Sequence, residues 1–200
     1  LNNAGYPSNH PIIQKGFDGF EGFGIEEDDK WRVQACVSPG WDTCLVLIGL
    51  LDSELPGNHP SIQKAALWLI QQQITAGGDW QINNRNTPPG GWAFEFSNDL
   101  YPDIDDASEV IMALNLACLS PLDEARKSEA IKRGVQWILS MQSDNGGWAA
   151  FDKDNTSSYL AKIPFSDFGE TLDPPSVDVT AHVVEMLGKL GYKLEHPSVK

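Results

Sequence analysis

The sequence predicts an all-α fold made of repeated helical hairpins. Three observations predict this class: segments that are apolar on nearly every face alternate with amphipathic segments, a Trp- and Gly-rich signature recurs, and hardly any segment alternates as a strand does. The chain holds 7 Trp and 18 Gly in 200 residues, an unusual pairing that the recurring signature explains. Inner and outer helices that repeat every roughly 50–70 residues are typical of a curved or closed array of hairpins.

Two copies of the signature lie far apart in the chain. The segment KAALWLIQQQ at residues 64–73 recurs as RGVQWILSMQ at residues 133–142, and each copy is followed by Gly-x-Trp, at residues 78–80 and 146–148. A shorter element, Asn-His-Pro, begins at residues 9 and 58, and an incomplete echo of it ends the chain. Because that echo is incomplete and the chain does not begin with Met, we expect a piece of a longer protein that continues beyond both ends.

Composition excludes several classes of protein. The chain carries 14 Lys and Arg against 28 Asp and Glu, a formal net charge of −14, and a surface of this charge repels phosphate backbones, so we expect no nucleic-acid partner. The longest apolar run, residues 44–51, is far shorter than the ~20 residues that span a bilayer. The chain does not open on the basic and apolar regions of a signal peptide. The three cysteines form no C-x-x-C pair, which favours a reducing compartment.

Three apolar segments, residues 42–51, 106–114 and 178–187, are the predicted inner helices. Each begins at an acid (Asp42, Asp106 and Asp178), and Asp is a favourable N-cap residue, so we expect these three side chains to occupy one equivalent capping position. Residues 64–73 and 127–142 are amphipathic and should form outer helices. Residues 84–91 and 172–175 are the predicted connecting loops.

The second inner helix has more acids than a cap requires. Asp103 and Asp105 directly precede Asp106, although one side-chain oxygen is enough for capping, so the extra pair suggests chemistry. His182 lies four residues into the third inner helix, where the matching positions of the other two hold Val. Capping for the acids, and core packing for His182, are the structural alternatives.

Three carboxyl groups this close together predict a proton donor. Repulsion and burial should leave at least one of them neutral at pH 7, and an imidazolium beside a carboxylate would strengthen the acid. Such an arrangement suits general-acid attack on a very weak base. Aromatic rings, which stabilise positive charge, crowd the neighbouring loops. They are Trp41, Trp92, Phe94, Phe96, Tyr101, Phe151, Phe165 and Phe168.

These motifs resemble those of a known family. The run GGWAFEFSN at residues 90–98, followed by YPDIDD at residues 101–106, is similar to the catalytic-acid region of squalene–hopene cyclases, and the Trp–Gln segments resemble that family's glutamine–tryptophan repeats. Shorter matches at residues 41–43, 145–148, 167–170 and 173–176 extend the resemblance over nearly the whole chain. The resemblance implies an α/α barrel (a toroid of helical hairpins), here a partial domain of a larger two-barrel enzyme whose cavity lies between the barrels.

The resemblance also implies roles for individual residues. Asp105 would protonate the terminal double bond of squalene, and Asp103, Asp106 and His182 would support it. The substrate-binding wall would comprise Trp41, Phe94, Phe151, Phe165, Ser166 and Phe168, with Phe165 and Ser166 at the constriction of the substrate channel. The structural repeat would use Gln73, Trp80, Gln142 and Trp148 to tie outer helices together.

The sequence departs from the family pattern at a few positions. Phe151 stands where hopene-forming relatives commonly carry Tyr, so product fidelity is in question. Ser166 stands where Cys is often found, and Ala107-Ser108 replaces the usual Thr-Ala after the acids. These departures concern product outcome and local packing more than the initiating chemistry.

The function expected from this resemblance is proton-initiated cyclisation of squalene to pentacyclic hopanoids, with no metal and no organic cofactor. The partner would be a lipid substrate, and the full enzyme would contact the membrane peripherally on its cytoplasmic side; a homodimer is compatible with this expectation. Other proton-initiated cyclases, of the diterpene or tetraprenyl-curcumene type, are the nearest alternatives because diterpene cyclases use a similar D-x-D-D motif.

More distant alternatives remain. Residues 105–109 also resemble a magnesium–diphosphate motif, but no Lys or Arg lies between Arg85 and Arg126 to bind the diphosphate. Residues 152–155 resemble the start of a calcium loop, which fails because its twelfth position is Ile163 and not Glu. An α/α-barrel glycosidase with paired carboxylates, or a helical-repeat binding module without catalysis, would belong to a different class.

Overall fold

The protein is described by a computed structural model. It describes residues 5–7, 9–28, 30–33, 38–82, 84–157 and 172–199. The chain divides into two compact units, residues 1–37 and residues 38–200, and each is described by itself. The predicted wall residues Phe165, Ser166 and Phe168 lie outside the described residues.

In its described residues, the first unit has one helix and a small β-hairpin. Helix α1 (Pro11–Glu21) begins after His10, whose Nδ1 accepts a hydrogen bond from the backbone of Ile12 at 3.2 Å. Strands β1 (Gly24–Glu27) and β2 (Lys30–Val33) pair antiparallel. The sequence analysis missed this hairpin because both strands are only four residues long. Asp28 at its turn adopts a positive φ of 49°, a conformation that Asp tolerates better than most residues.

The second unit is a two-layer arrangement of five α-helices within residues 38–82, 84–157 and 172–199. Helices α2 (Pro39–Asp52), α4 (Ile104–Leu116) and α6 (Val177–Lys189) form one layer, with α4 between the other two. Helices α3 (Pro60–Gln71) and α5 (Pro121–Ser140) pack behind them, and a short 3₁₀ helix covers Asp79–Ile82. The predicted alternation of inner and outer helices is confirmed, and the arrangement is consistent with part of a helical barrel.

Burial follows the position of each helix in the layer. The central helix α4 is buried along almost its whole length, from Ile104 to Leu114, which agrees with its prediction as an inner helix. Helix α2, at one end of the layer, leaves Leu45, Val46 and Leu50 at least 40% exposed. Helix α2 therefore has more apolar side chains than the described part of the chain buries.

The predicted caps of the inner helices are wrong. Helix α4 is capped by Asp103, whose Oδ1 accepts a hydrogen bond from the backbone N–H of Asp106 at 2.8 Å. Helices α2 and α6 begin after Ser38 and Ser176. The caps lie two to four residues earlier than predicted because the turns ahead of the apolar runs are already helical. Asp103 therefore has the structural role that the sequence analysis could not assign to it.

The corrected caps change which residues are equivalent. The sixth residue after the cap is Cys44 in α2, Glu109 in α4 and His182 in α6. His182 therefore corresponds to Glu109, and not to Val110 as predicted. An acid and a base thus occupy the same position in two adjacent helices.

The tryptophan repeat also needs one correction. The Trp92 indole N–H donates to the carbonyl of Leu69, and that of Trp148 donates to the carbonyl of Ile138, both at 2.7 Å. Gly90-Gly91-Trp92 is therefore the counterpart of residues 146–148, and the predicted pairing of Trp80 with Trp148 is wrong. Trp80 lies on the connection before Trp92 and packs edge-to-face on Trp137 of α5, with ring centroids 5.8 Å apart.

The two glutamines of the repeat bind equivalent loops. The Gln73 amide donates to the carbonyls of Gly90 and Ala130, each at 2.8 Å, and its oxygen accepts from Arg133 at 2.7 Å. The Gln142 amide donates to the carbonyl of Gly146 at 2.7 Å. Both side chains thus fix a Gly-Gly-Trp loop to the end of an outer helix.

Candidate active site

Two loops fix the start of helix α4, where the acids lie. The backbone N–H of Asp103 donates to the carbonyl of Trp92 at 2.9 Å, and that of Ile104 donates to the carbonyl of Ala150 at 2.8 Å. The Asp103 side chain then closes the first turn. Because these bonds set the direction in which α4 begins, they also set where Asp105 and Asp106 project.

Asp105 and His182 form a pair across two inner helices. The Nδ1 atom of His182 on α6 lies 2.5 Å from Oδ1 of Asp105 on α4. Both side chains are about one-third exposed. The hydrogen bond with Asp105 raises the pKa of His182 and outweighs the opposing effect of desolvation. The pair therefore favours a charged imidazolium beside the Asp105 carboxyl.

Glu109 is a third member of this group that the sequence analysis did not identify. Its Oε1 lies 3.8 Å from Nδ1 of His182, and its side chain is only 9% exposed. Burial raises the pKa of Glu109, whereas the His182 imidazole lowers it. The sequence signal for Glu109 is a single Glu within an otherwise apolar run. It is not detected when only the acids that precede the helix are considered.

Asp103 and Asp106 are almost fully buried. Burial, followed by the charge of Asp106, raises the pKa of Asp103 well above its usual value. Burial also raises the pKa of Asp106 to about 6, although a hydrogen bond with Asp103 opposes the shift. Within the described residues, one oxygen of each is buried without a hydrogen-bond partner, Oδ2 of Asp103 and Oδ1 of Asp106. This environment favours a neutral carboxyl at Asp103.

The acids face an open cavity of about 410 Å³. It contains the three predicted wall residues that fall within the described part of the chain, Trp41, Phe94 and Phe151. The full lining is Trp41, Phe94, Glu95, Asn98, Asp103, Asp105, Asp106, Ala150, Phe151 and Val179. The three sequence-predicted acids thus meet aromatic faces in one place.

Other aromatic residues near the acids in sequence lie elsewhere. Trp92 is buried and holds a backbone carbonyl of α3. Phe96 packs edge-to-face with Trp68, with ring centroids 6.5 Å apart, and Tyr101 lines a smaller cavity. The expectation that these three rings surround the acids is not met, because none of them lines the cavity that contains the acids.

A glycine brings helix α2 close to the acids. A Cβ atom at Gly40 would lie 3.0 Å from the carbonyl of Ala93 and 3.5 Å from Oδ1 of Asp106. A side chain at this position would therefore require its neighbours to shift by a few tenths of an ångström. Sequence reasoning did not single out Gly40, which has helical neighbours and no motif of its own.

Within the described ranges, no three or more His, Cys, Asp or Glu side chains lie together in a group that could hold a metal ion. The acids of α4 instead contact a histidine, a backbone amide and one another.

Comparisons with known proteins add to this geometry. The family model of the squalene–hopene cyclase C-terminal domain matches residues 37–200. The chain is 49% identical over 186 residues to a squalene–hopene cyclase of Alicyclobacillus acidocaldarius, covering 92% of this chain and 29% of that protein. It is 45% identical over 190 residues to a dammaradiene synthase of Dryopteris crassirhizoma, covering 95% and 27%. It is 43% identical over 205 residues to a squalene–hopene cyclase of Zymomonas mobilis, covering 98% and 31%. The chain spans less than a third of the length of these relatives.

Proposed function

Because this chain belongs to the squalene–hopene cyclase family, we propose that it is the proton-donating part of a class II triterpene cyclase. The complete enzyme would convert squalene to pentacyclic hopanoids, an intramolecular rearrangement in the isomerase class. The observation that carries the proposal is the Asp105–His182 pair at the edge of a cavity lined by Trp41, Phe94 and Phe151.

In the proposed first step, Asp105 gives its proton to a terminal alkene carbon of squalene. The new C–H bond uses the π electrons, the positive charge appears on the neighbouring carbon, and the carboxylate that remains is paired with the His182 imidazolium. Internal double bonds then attack the cation in turn. Ring faces at Trp41, Phe94 and Phe151 stabilise the positive charge without reacting with it.

Of the two buried acids, Asp103 would support this step by remaining uncharged. A negative charge beside Asp105 would hold its proton more tightly and make it a weaker acid. Burial favours the neutral form of Asp103. The imidazolium of His182 acts in the opposite direction to a negative neighbour, so it favours proton release.

The departures from the family pattern bear on the product and not on initiation. Phe151 lines the cavity, but it offers no hydroxyl group. We propose pentacyclic hopanoids as the main product. Other cyclised triterpenes are the alternative, because a dammaradiene synthase is among the similar proteins.

We also propose that the complete enzyme contacts the membrane peripherally, on its cytoplasmic side. This proposal follows from its substrate, which would be a hydrocarbon that partitions into bilayers. No helix within the described residues is long and apolar enough to cross a membrane. Separation of membrane and soluble fractions, with and without a detergent wash, tests this location.

The function is tested by incubating the complete enzyme with squalene and identifying products by gas chromatography with mass spectrometry. We expect polycyclic triterpenes without added metal. A parallel incubation with a panel of soluble oligosaccharides tests the glycosidase alternative. Sugar release without any polycyclic product would contradict the proposal, and turnover of neither substrate would favour a binding module.

A further inference from the structure

The Asp173 side chain binds a loop that lines the cavity. Its Oδ2 accepts hydrogen bonds from the backbone N–H groups of Phe151 and Asp152, both at 2.6 Å, and its Oδ1 accepts from that of Ala150 at 3.2 Å. The Asp173 backbone also pairs with Asn155 across an isolated bridge. Three consecutive amides on one carboxyl group are the kind of contact that fixes a loop conformation.

The loop held by Asp173 carries a ring between two cavities. The Phe151 ring lines the 410 Å³ cavity that contains the acids. It also lines a second cavity of about 180 Å³, whose polar lining comes from Asp79, Asp152, Asn155 and Asp173. Among the described residues, Phe151 alone lines both.

The two cavities differ in what they can hold. The second has four polar side chains in a mixed lining and a volume that accommodates several water molecules. The first faces aromatic rings, which stabilise a cation without reacting with it. A water molecule that passed Phe151 would add through its oxygen to a carbocation, forming a C–O bond and releasing one proton to solvent. Cyclisation would then end early, with an alcohol as the product.

We propose that Asp173 is a positioning residue that holds Phe151 as the partition between these two cavities, and so keeps water away from the reacting cation. The inference rests on the proposed function, because it concerns the fate of a cation in that cavity. It assigns a task to the Asp-Pro-Pro segment, which the proton-transfer step does not use.

The test compares variants of the complete enzyme in water enriched in ¹⁸O, with squalene as substrate. Asp173→Ala removes all three acceptors, and Asp173→Asn removes the charge while keeping an oxygen for part of the set. The matched control is Asp154→Asn in the same loop. The Asp154 side chain accepts one hydrogen bond within the described residues, from the backbone N–H of Asp144, and its positive φ of 58° is one that Asn tolerates.

For Asp173→Ala we expect at least a fivefold rise in the share of ¹⁸O-labelled, incompletely cyclised alcohols among all products, and for Asp173→Asn a smaller rise. Asp154→Asn should keep the wild-type product ratio even if it lowers the melting temperature. In a Phe151→Ala background, Asp173→Asn should have no additional effect on the ratio.

Unchanged product ratios in the Asp173 variants, including a loss of total turnover at constant ratio, would overturn the inference and leave a purely structural clamp. If Asp173→Ala does not fold, Asp173→Asn decides alone. A wild-type enzyme that makes no cyclised product from squalene would instead contradict the proposed function itself.

Discussion

The starts of helices α4 and α6 are two copies of one structural unit with different chemistry. In each, a Gly-Gly-Trp loop pairs with the N-cap residue, Trp92 with Asp103 and Trp148 with Ser176. In each, the cap side chain accepts from the backbone three residues on. The framework is therefore the same, and the chemistry depends on the side chains it presents.

The environments of the two first turns differ strongly. In α4, Asp103 and Asp106 are buried and burial raises the pKa of both. In α6, Asp178 is fully exposed, and the hydrogen bond from Ser176 lowers its pKa. The central position of α4 explains the contrast, because helices pack on both of its sides. An acid in one copy is therefore held against ionisation, whereas an acid in the other ionises easily.

The largest expected effect comes from removing the proton donor in the first copy. Asp105→Asn in the complete enzyme should lower the cyclisation rate by about 10³-fold or more, because an amide cannot supply the proton. The fold should survive, since the two side chains have similar volumes. Product formation from squalene measures the rate, and thermal unfolding measures the fold.

The matched control for this variant is Asp99→Asn, a change of an exposed acid on the loop that precedes α4. It should keep wild-type turnover. Wild-type turnover in Asp105→Asn would remove Asp105 as the donor and make the two copies equivalent in function.

The next largest effect should come from the second copy. His182→Phe leaves Asp105 without its partner, and we expect a rate loss of about 10²-fold or more with little change in KM. Steady-state kinetics with squalene separate the two parameters. If kcat and KM both stay unchanged, His182 is only a packing residue. If kcat stays constant and KM rises, His182 contributes to substrate binding.

Much of this comparison could be predicted from the sequence. The helical class, the inner and outer helices and the grouping of Asp103, Asp105 and Asp106 follow from apolar periodicity and local motifs. The register did not follow. An alignment of the inner helices on their first Asp placed His182 opposite Val110, because a cap is decided by the backbone direction of the preceding loop and not by residue type alone.

The missing parts of the candidate site have a common physical cause. Glu109 faces His182 only because α4 and α6 lie side by side, and Asp173 reaches residues 150–152 only because two loops meet. Such contacts join residues that are distant in the sequence. Local patterns suggested the acids, but the partners of those acids required the tertiary structure.

Substitution of the two loop tryptophans tests whether the two copies have the same framework. Trp92→Phe and Trp148→Phe each remove an indole N–H, so the carbonyl of Leu69 or of Ile138 loses its buried bond to the indole and keeps only the bond from a backbone N–H. We expect each to lower the free energy of unfolding by about 1–3 kcal/mol. Denaturant unfolding of the complete enzyme measures both. A large loss in one and none in the other would show that only one copy carries the framework.

The smallest expected effect concerns Glu109, the position in α4 that corresponds to His182 in α6. The charge of Glu109 contributes to the raised pKa of His182, together with Asp105 and Glu185, so Glu109→Gln should lower that pKa. A histidine with a raised pKa keeps its charge, and the stability that the charge provides, at low pH and loses both as the pH rises through the folded-state value. The alkaline limb of the pH–rate profile should therefore move to lower pH in Glu109→Gln.

The change in rate at neutral pH should be less than about tenfold. His182 is partly exposed, so solvent screens the interaction of its charge with Glu109. Glu185→Gln is the control, since Glu185 acts on the same imidazole but is more exposed and already paired with Lys189 at 3.1 Å. It should move the limb in the same direction and by less. A limb that stays in place in both variants would show that the protonation of His182 does not limit the reaction, and a shift to higher pH would contradict the electrostatic assignment of Glu109.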